Sequence, residues 1–555
     1  MHKGLMFARS FGGFHPADAA YQVVSTELAR RGIATLERGT EMDAFTSLSR
    51  YELLVIYADR GEMTDDQAQS LTAWVEGGGA LVILHGGMAA FGDNTIYHDL
   101  VGADFTGHPP RMPFTVRTVD GEHQITRRAP ESFVTEDELY TVAPRGDFHT
   151  LLEATYLSQA VPISWVRSVG KGRVFYLGLG HDASAMTNRH FLDLTCHGTR
   201  WALGQQPRPD VRLGLVGYGS AFGMSHYHGT LAGATPGLEL VAACDLNPKQ
   251  MELAARDWPG IRTYTDTNEF AADPDIDLAL VIVPHNVHAP VAHLLLDAGK
   301  HVMTEKPFTI TGAEAAGLID KAEAKHLTLT VFQNRRWDRD YLTLRQAVDS
   351  GEIGQPYLYE LFLAGYGHPT HWWRSVTAVS GGLMHDWGAH GVDWGLNLFP
   401  DDVTAVSAWT QKRRWHDVDV ADAAKLVARF QGGQLLDIEF GSLSASRKAY
   451  MRVLGSEGAI EVRPPHRDLS GSLLVYHTGD HGVSEELRPY RPKGKGPYSW
   501  SEWSEVEVLY RRLADHLILG DPVPVTPQSA ARVIGVIEAA NLSAQSGQPE
   551  KPTYW

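Results

Sequence analysis

Three side chains in the second half of the sequence, Lys306, Asp386 and His390, have the types and spacing of a proton-transfer site. Asp386 and His390 are four residues apart, so on a helix they share one face. A neutral imidazole beside a carboxylate is a suitable general base, because the carboxylate orients the ring and stabilises its protonated form. Lys306 follows a predicted strand, where its ammonium is placed to polarise a substrate oxygen or relay its proton. The simpler interpretation is a surface lysine and a helix-stabilising pair.

A metal site is the other interpretation of the segment that carries the pair. His385, Asp386, His390 and Asp393 crowd it, but helical spacing puts only the last three near one face. Hydride chemistry carried by a cofactor requires no metal. We therefore expect no metal at this segment.

Two neighbouring residues, Trp373 and Arg374, are the expected substrate-binding partners of Lys306, Asp386 and His390. Together with Trp372 they offer flat aromatic faces, which suit sugar rings. Core packing explains the tryptophans nearly as well.

A glycine-rich turn precedes these residues, in Leu213-Gly-Leu-Val-Gly217-Tyr-Gly219-Ser-Ala-Phe-Gly223. A buried strand that runs into a helix start binds anions, because backbone N–H groups and the helix dipole converge on a pyrophosphate. The spacing of Gly217, Gly219 and Gly223 is one residue longer than usual, so packing alone would explain the turn equally well. Asp245, which closes the next strand, is placed to accept bonds from ribose hydroxyls. No basic residue directly follows it, which favours NAD over NADP.

The order of further segments carries a family resemblance. Pro284-His-Asn-Val-His288, Ala298-Gly-Lys-His-Val302, Glu305-Lys-Pro307 and Gly381-Gly-Leu-Met-His-Asp386-Trp-Gly-Ala-His390 follow the glycine turn. Over about residues 211–549 the chain resembles the Gfo/Idh/MocA oxidoreductases. It departs from the family pattern in its lengthened glycine turn and in His285.

The resemblance implies two domains and their functional residues. It implies a Rossmann NAD-binding domain over 211–333 and a substrate and oligomerisation domain over 334–549, with a mainly antiparallel open sheet and self-association through it. Lys306 and the Asp386/His390 pair match the family's catalytic residues. The resemblance also implies further residues of the cofactor site, namely Pro284, Asn286, His288, Glu305 and Lys306.

The preceding 205 residues are a separate domain, bounded by the proline-containing linker 205–210. Apolar runs at 53–57 and 80–84, with a helical pattern capped at Thr64 between them, predict a parallel sheet flanked by helices. Alternating stretches at 424–430 and 434–440 instead predict an antiparallel sheet near the C-terminus.

The domain over 1–205 has the flavodoxin-like or class I amidotransferase-like layout, yet its central strand ends in Leu84-His85-Gly86-Gly87 and not in a nucleophilic cysteine. We therefore do not expect glutamine hydrolysis. The segments Gly107-His108-Pro109, Asp137-Glu-Leu-Tyr140 and Gly172–Asp182 resemble the trehalose-utilisation (ThuA-like) family over about residues 1–204. Strand ends or loops hold the site candidates His15, His85, His108, His181 and Asp182. Such a cluster suits proton abstraction next to a carbonyl, or a metal.

Composition excludes several classes of protein. The two cysteines exclude a disulfide framework and favour a reducing cytoplasm, and the net charge of −17 argues against nucleic-acid binding. No apolar run approaches the roughly 20 residues that span a bilayer, and the start lacks a signal-peptide pattern. We expect a cytoplasmic enzyme with a small-molecule sugar or glycoside substrate and no membrane partner.

We hypothesise that the protein oxidises a hydroxyl of a sugar or glycoside with NAD. We expect oxidation at C3, with His390 accepting the proton of the hydroxyl. The first domain then acts on the keto sugar by proton abstraction, elimination or hydration. Three alternatives stay open: an NAD-dependent glycosidase that oxidises transiently, a physiological reductase, and a first domain that only binds or oligomerises.

Overall fold

The structure is a computed structural model that describes residues 1–92, 94–207, 209–219, 223–446, 448–463, 471–479, 482–490 and 504–554. The chain divides into two compact units. The first unit comprises Met1–Pro209 with Ile518–Pro522, and the second comprises Asp210–Leu517 with Val523–Trp555.

The first unit is an α/β unit built on one large sheet and a small two-stranded one. Its helices are α1 Ala17–Arg30, α2 Asp65–Glu76, α3 Thr95–Val101, α4 Ala183–Met186 and α5 Arg189–Ala202. Its strands are β1 His2–Ser10, β2 Ala34–Gly39, β3 Leu53–Asp59, β4 Ala80–Leu84, β5 Ala103–Gly107, β6 Met112–Thr118, β7 Ser132–Asp137, β8 Thr141–Pro144, β9 His149–Tyr156, β10 Gln159–Val169 and β11 Gly172–Leu177.

The large sheet has the order β2-β1-β3-β4-β11-β10-β9-β6-β7. The first five strands are parallel, as the sequence predicts, and β3 and β4 are buried along their whole length. The other four run antiparallel, which the sequence analysis did not predict. Strand β7 shows the reason, since its residues alternate between exposed and buried, a pattern that suits a hairpin with one solvated face.

The predicted helix between β3 and β4 is α2. The Thr64 hydroxyl accepts from the Gln67 N–H while the Gln67 side chain returns a bond to the Thr64 N–H, which forms a capping box. Gly77 is the C-terminal cap, so the helix ends at the start of the glycine run 77–79.

The first part of the second unit is a six-stranded parallel sheet flanked by helices. Its helices are α6 Met224–Gly233, α7 Pro248–Asp257, α8 Thr267–Ala272, α9 His288–Asp297 and α10 Gly312–Ala324. The strands are β12 Val211–Val216, β13 Leu238–Cys244, β14 Arg262–Tyr264, β15 Leu278–Val281, β16 His301–Thr304 and β17 Leu329–Val331. The order β14-β13-β12-β15-β16-β17 is the dinucleotide-binding order 3-2-1-4-5-6, which confirms the predicted Rossmann fold.

The rest of the second unit is a mainly antiparallel sheet with helices. The strands are β18 Pro356–Ala364, β19 Val403–Gln411, β20 Ala423–Phe430, β21 Leu435–Gly441, β22 Met451–Gly455, β23 Gly458–Arg463, β24 Gly471–Gly479 and β25 Gly482–Tyr490. The helices are α11 Arg339–Asp349, α12 Thr377–Ser380, α13 Leu383–Asp386, α14 Gly388–Leu398, α15 Glu507–Leu519 and α16 Pro527–Ser546.

This second sheet has the order β19-β20-β21-β18-β22-β23-β24-β25, and only the β18–β21 pair is parallel. Its prediction as a mainly antiparallel sheet is confirmed. Helix α16 packs against β19 and α14, so the C-terminal helix lies against the body of its unit. Among the described residues, no helix is both long and apolar enough to cross a membrane.

Candidate active site

The glycine turn lies at the carboxyl end of β12, beside the point where the strand order reverses, and this is where doubly wound sheets bind ligands. Gly217 has φ +94°, and a Cβ added there would lie 2.1 Å from the Ile282 carbonyl oxygen. Only glycine fits this position. Gly223 caps α6 with φ +61°, whereas a Cβ at Gly219 would meet no described atom within 4 Å. Residues 220–222 of the predicted turn lie outside the described residues.

Asp245 follows β13 and turns its carboxylate back to the glycine turn. One oxygen accepts the Tyr218 N–H at 2.7 Å and the other accepts the Asn247 N–H at 2.9 Å. A carboxylate can accept about four bonds, so it retains capacity for ribose hydroxyls. Together with the open backbone at Gly219, these residues fit the adenosine end of a dinucleotide.

The residues after β15 divide into an exposed and a buried group. Pro284 starts a short 3-10 turn and Asn286 is exposed at the sheet edge. His288 is fully buried, with Nδ1 2.8 Å from the Pro307 oxygen and Nε2 2.9 Å from the Val283 oxygen. The predicted cofactor residue His288 therefore has both ring nitrogens against protein carbonyls, so its ring braces the turn.

Glu305 and Lys306 follow β16. One Glu305 oxygen lies 3.0 Å from His228 Nε2 and the other accepts the Lys306 N–H at 2.9 Å. His228 Nδ1 lies 2.5 Å from the Tyr510 hydroxyl. Glu305 thus anchors the backbone that carries Lys306.

Lys306 meets Asp386 in a charged cluster. The Lys306 ammonium donates to Asp386 Oδ1 at 2.9 Å and to its backbone oxygen at 3.0 Å, and the Arg374 guanidinium donates to the same Oδ1 at 2.8 Å. Burial disfavours ionisation, but Lys306 and Arg374 outweigh it and hold the pKa of Asp386 far below its usual value. Burial, opposed by the Asp386 carboxylate, lowers the pKa of Lys306.

His390 is 5% exposed, and its Nδ1 has no hydrogen-bond partner among the described residues. Burial, reinforced by the nearby cations Lys306, Arg335 and Arg374, lowers its pKa well below 6.5. The ring is therefore neutral near pH 7, which is the state that can accept a proton.

The predicted pairing of Asp386 with His390 needs correction. Helix α13 ends at Asp386 and α14 begins at Gly388, so the two residues are not on one continuous helix. No Asp386–His390 hydrogen bond occurs in the described part of the chain. The carboxylate instead binds the Lys306 and Arg374 cations, and such charge-assisted bonds are stronger than one to a neutral imidazole. Asp393, the third acid of the segment, forms a bidentate pair with Arg336.

His285 is a functional candidate that the sequence analysis noted only as a departure from a pattern. Its Nδ1 lies 2.7 Å from the Ser380 oxygen, while its buried Nε2 has no hydrogen-bond partner among the described residues. The Trp373 ring lies edge-on to the His285 ring, with 4.7 Å between the two ring centres. The Arg374 guanidinium lies 5.1 Å from the Trp373 ring centre, so the predicted substrate residues adjoin the Lys306 cluster.

A second cluster lies in the first unit, where three of the predicted histidines meet. The ring centres of His15, His85 and His181 are 4.9, 5.1 and 5.4 Å apart. Burial, with His85 and His181 nearby, lowers the pKa of His15 to about 4. Burial and His85 also lower the pKa of His181.

Glu138 completes this second cluster and was missed as a candidate. Its Oε2 lies 3.1 Å from His181 Nδ1 and 3.5 Å from His85 Nε2. The signal in the sequence is that Glu138 belongs to the segment Asp137-Glu-Leu-Tyr140, which carries part of the family resemblance.

The other two predicted residues of the first unit lie at its margin. His108 Nδ1 is 3.7 Å from Glu138 Oε1 and 2.9 Å from the Pro109 oxygen. The Asp182 carboxylate caps α4 through the Ala185 N–H and pairs with Arg111, so it does not join the histidines.

Three segments of the chain match models of known families. Residues 4–202 match the ThuA model, described as trehalose utilisation. Residues 211–333 match the oxidoreductase family with an NAD-binding Rossmann fold, and residues 341–461 match the GFO/IDH/MocA C-terminal domain.

Individual relatives match the second part of the chain. An uncharacterised oxidoreductase of Schizosaccharomyces pombe is 33% identical over 263 residues, which is 45% of this chain and 69% of that protein. The scyllo-inositol 2-dehydrogenase (NADP(+)) IolW of Bacillus subtilis is 28% identical, over 62% of this chain and 96% of that protein. An NAD-binding protein from Listeria innocua, known from its crystal structure, is 28% identical in sequence to this chain. The two structures align with a TM-score of 0.54 over 62% of this chain and 97% of the Listeria chain.

Proposed function

We propose a function on the premise that this chain belongs to the Gfo/Idh/MocA oxidoreductase family and carries a ThuA trehalose-utilisation domain in front of it. The proposed activity is NAD-dependent oxidation of a ring hydroxyl in a sugar, glycoside or polyol. The observation that supports it most is the Lys306–Asp386–Arg374 cluster, whose lysine follows β16 at the same edge of the Rossmann sheet as the glycine turn, with the neutral His390 ring close to its cations.

The proposed mechanism gives each residue one task. Gly217, Gly219 and Asp245 would hold a nicotinamide dinucleotide, which would supply the acceptor for the hydride of the carbinol carbon. The Lys306 ammonium donates a hydrogen bond to the substrate hydroxyl oxygen, which stabilises the alkoxide character that develops there. Asp386 and Arg374 hold Lys306 in place, and His390 accepts the hydroxyl proton. His285, whose Nε2 is buried, is a further candidate for holding this proton.

The preference for NAD is part of the proposal. Asp245 supports it, because a carboxylate repels a 2′-phosphate and accepts from ribose hydroxyls. Leu246, next in sequence, is 79% exposed and brings no positive charge. The Bacillus relative is named for NADP(+), so a direct comparison of the two cofactors is needed.

The proposed substrate class is a polyhydroxylated ring. The Trp373 indole and the Arg374 guanidinium beside the Lys306 cluster favour a flat, polar ligand. The name of the Bacillus relative, a scyllo-inositol 2-dehydrogenase, supports cyclic polyols as well as sugars. We expect oxidation at C3 when the substrate is a glycoside. We also propose that the protein self-associates through the antiparallel sheet of the second unit.

A substrate and cofactor panel tests the proposal. The full chain is incubated with NAD⁺ or NADP⁺ and with scyllo-inositol, myo-inositol, glucose, trehalose or a simple glucoside, and absorbance of the reduced cofactor is followed. We expect a polyol or sugar to give a kcat/KM at least about tenfold higher with NAD⁺. Reduction of neither cofactor by any of these compounds would contradict the proposal.

The first unit is proposed to act on the keto product. Oxidation at C3 acidifies the C2–H, so a base can remove that proton and the glycosidic oxygen can then leave C1. The neutral His15 and His181 rings beside the Glu138 carboxylate support a proton-abstraction site. The flavodoxin-like or amidotransferase-like fold of this unit stays a prediction.

Product analysis separates this role from its alternatives. Wild type and His181→Asn are incubated with trehalose and NAD⁺, and the sugars are identified by mass spectrometry. We expect the keto disaccharide to accumulate only in the variant. Cleavage without net reduced cofactor would indicate a glycosidase, and identical products would indicate a binding module.

A further inference from the structure

We propose that His15, His85, His181 and Glu138 of the first unit form a binding site for one divalent transition-metal ion, of the kind that zinc or cobalt(II) fills. This inference does not depend on the redox function proposed for the second unit, because the site lies wholly within the first unit. It uses the same residues as the proton abstraction proposed for the first unit, and the metal titration below tests it separately from that activity.

The donor atoms already have the spacing that a metal requires. Each of the four residues offers a ligand atom, and these atoms all lie within 4.8 Å of one another. In a tetrahedral site with bonds of about 2.1 Å, ligand atoms are about 3.4 Å apart. The distances from Glu138 Oε2 to His181 Nδ1 and His85 Nε2, 3.1 and 3.5 Å, match that value.

Outer partners orient two of the imidazoles. His85 Nδ1 lies 3.1 Å from the Gly178 carbonyl oxygen, so its N–H is fixed there and Nε2 keeps a lone pair toward Glu138. His15 Nδ1 lies 3.3 Å from Asp59 Oδ2 in an ion-pair contact without a hydrogen bond, and its Nε2 lies 3.3 Å from the Tyr140 hydroxyl. Asp59 is itself held by the Gly12 and Phe14 N–H groups. Metal-binding histidines almost always show such carbonyl or carboxylate partners.

The backbone around the cluster is rigidly placed. His85 has φ +39°, a left-handed conformation that a non-glycine residue adopts at a cost, often at functional sites. Asp137 accepts the Gly180 and His181 N–H groups, and the Tyr57 hydroxyl donates to the carbonyls of the same two residues. The ligand-bearing loops are therefore fixed without the ion.

The donor set and its exposure indicate the class of ion. Three imidazoles and one carboxylate suit zinc and its neighbours better than calcium or magnesium, which take oxygen ligands. His85 is fully buried, while the His181 side chain is 21% exposed, so water or a substrate oxygen reaches the ion from the His181 side.

The test uses the full chain without a purification tag, stripped of metal and titrated with cobalt(II). We expect one tightly bound equivalent with the visible absorption of four- or five-coordinate cobalt. His85→Asn, His181→Asn and Glu138→Gln should each weaken binding about 100-fold or more, and Asp59→Asn about 10- to 100-fold.

Two controls are matched to these variants. His108→Asn removes an imidazole that adjoins Glu138 without belonging to the site. His371→Asn disrupts an exposed group, His368, His371 and Asp417, which also has metal-ligand spacing. Both should bind cobalt like wild type.

Two outcomes would overturn the proposal: no bound cobalt in wild type, or binding that survives His181→Asn and is lost in His371→Asn. Circular dichroism checks that each variant folds. If the ligand variants do not fold, X-ray absorption of cobalt-loaded wild type decides, because three imidazole ligands are expected and one or none would refute the site.

Discussion

The Lys306 ammonium lies 2.9 Å from the Asp386 carboxylate and 3.0 Å from the backbone oxygen of the same residue. This pair joins the end of a Rossmann strand to the short helix α13 in the C-terminal part of the second unit. The lysine that follows the nucleotide-binding edge is therefore positioned by a residue that the sequence places 80 positions later.

Replacing Lys306 by Met should lower kcat by about 10²- to 10⁴-fold, because the variant loses the donor to the substrate oxygen. Binding of the reduced cofactor, followed by its fluorescence, should weaken much less than kcat falls, because Lys306 is only one of the predicted cofactor residues. Lys325→Met, which removes a partly exposed lysine next to Asp297, is the control and should retain full activity. An active Lys306→Met enzyme would exclude Lys306 from the chemistry.

Asp386→Asn should move the alkaline limb of the kcat/KM profile to lower pH. The carboxylate raises the pKa of Lys306 against the effects of burial and of Arg374. Without the carboxylate this pKa falls further, so Lys306 loses its proton at a lower pH. A pH–rate profile with unchanged limbs would show that Asp386 does not control the protonation of Lys306.

His390 should act as a base that stays neutral below its usual pKa of about 6.5, because burial and neighbouring cations lower its pKa. Activity of the wild type should therefore persist as the pH falls from 7.5 to 6, and no acid limb should appear near pH 6.5. His390→Gln should lose about 10²-fold or more in kcat, while the exposed His416→Gln should not. An acid limb near pH 6.5 in the wild-type profile, absent from the profile of His390→Gln, would contradict a lowered pKa of His390.

The glycine turn provides a pair of matched variants. Gly217→Ala should destabilise the second unit by roughly 1–2 kcal/mol from its φ of +94° alone, and the added Cβ would also collide with the Ile282 oxygen. Gly219→Ala should fold normally, since no described atom lies within 4 Å of its Cβ. It should still weaken dinucleotide binding, because the pyrophosphate must approach this backbone closely. Thermal unfolding and cofactor titration separate the two effects, and equal behaviour of both variants would contradict this explanation.

Strand patterns and strand-end residues were predictable from the sequence. The continuous apolar runs identified β3 and β4, and the positions of Lys306 and Asp245 followed from the edge at which parallel strands end. The four antiparallel strands of the first unit's large sheet, and the small β5–β8 pair, were missed, because their alternation is interrupted by long polar stretches and no helix marks them.

Side-chain partners were less predictable than elements. The i,i+4 spacing predicted contact between Asp386 and His390. The helix is interrupted at Trp387, and the Asp386 carboxylate binds two cations in place of the imidazole. The role of Glu138 depends on histidines that are up to 123 positions away in sequence, and local pattern carries no information about such contacts.

The transfer of a hydride from a ring carbinol to the cofactor is the central claim, and isotope transfer tests it most directly. The full chain is incubated with NAD⁺ and a polyol or sugar deuterated at its carbinol carbons, and the reduced cofactor is analysed by mass spectrometry. We predict one deuterium in each reduced cofactor made by the wild type and almost no reduced cofactor from Lys306→Met. Reduced cofactor without deuterium, or oxidised sugar formed without reduced cofactor at any stage, would contradict the claim.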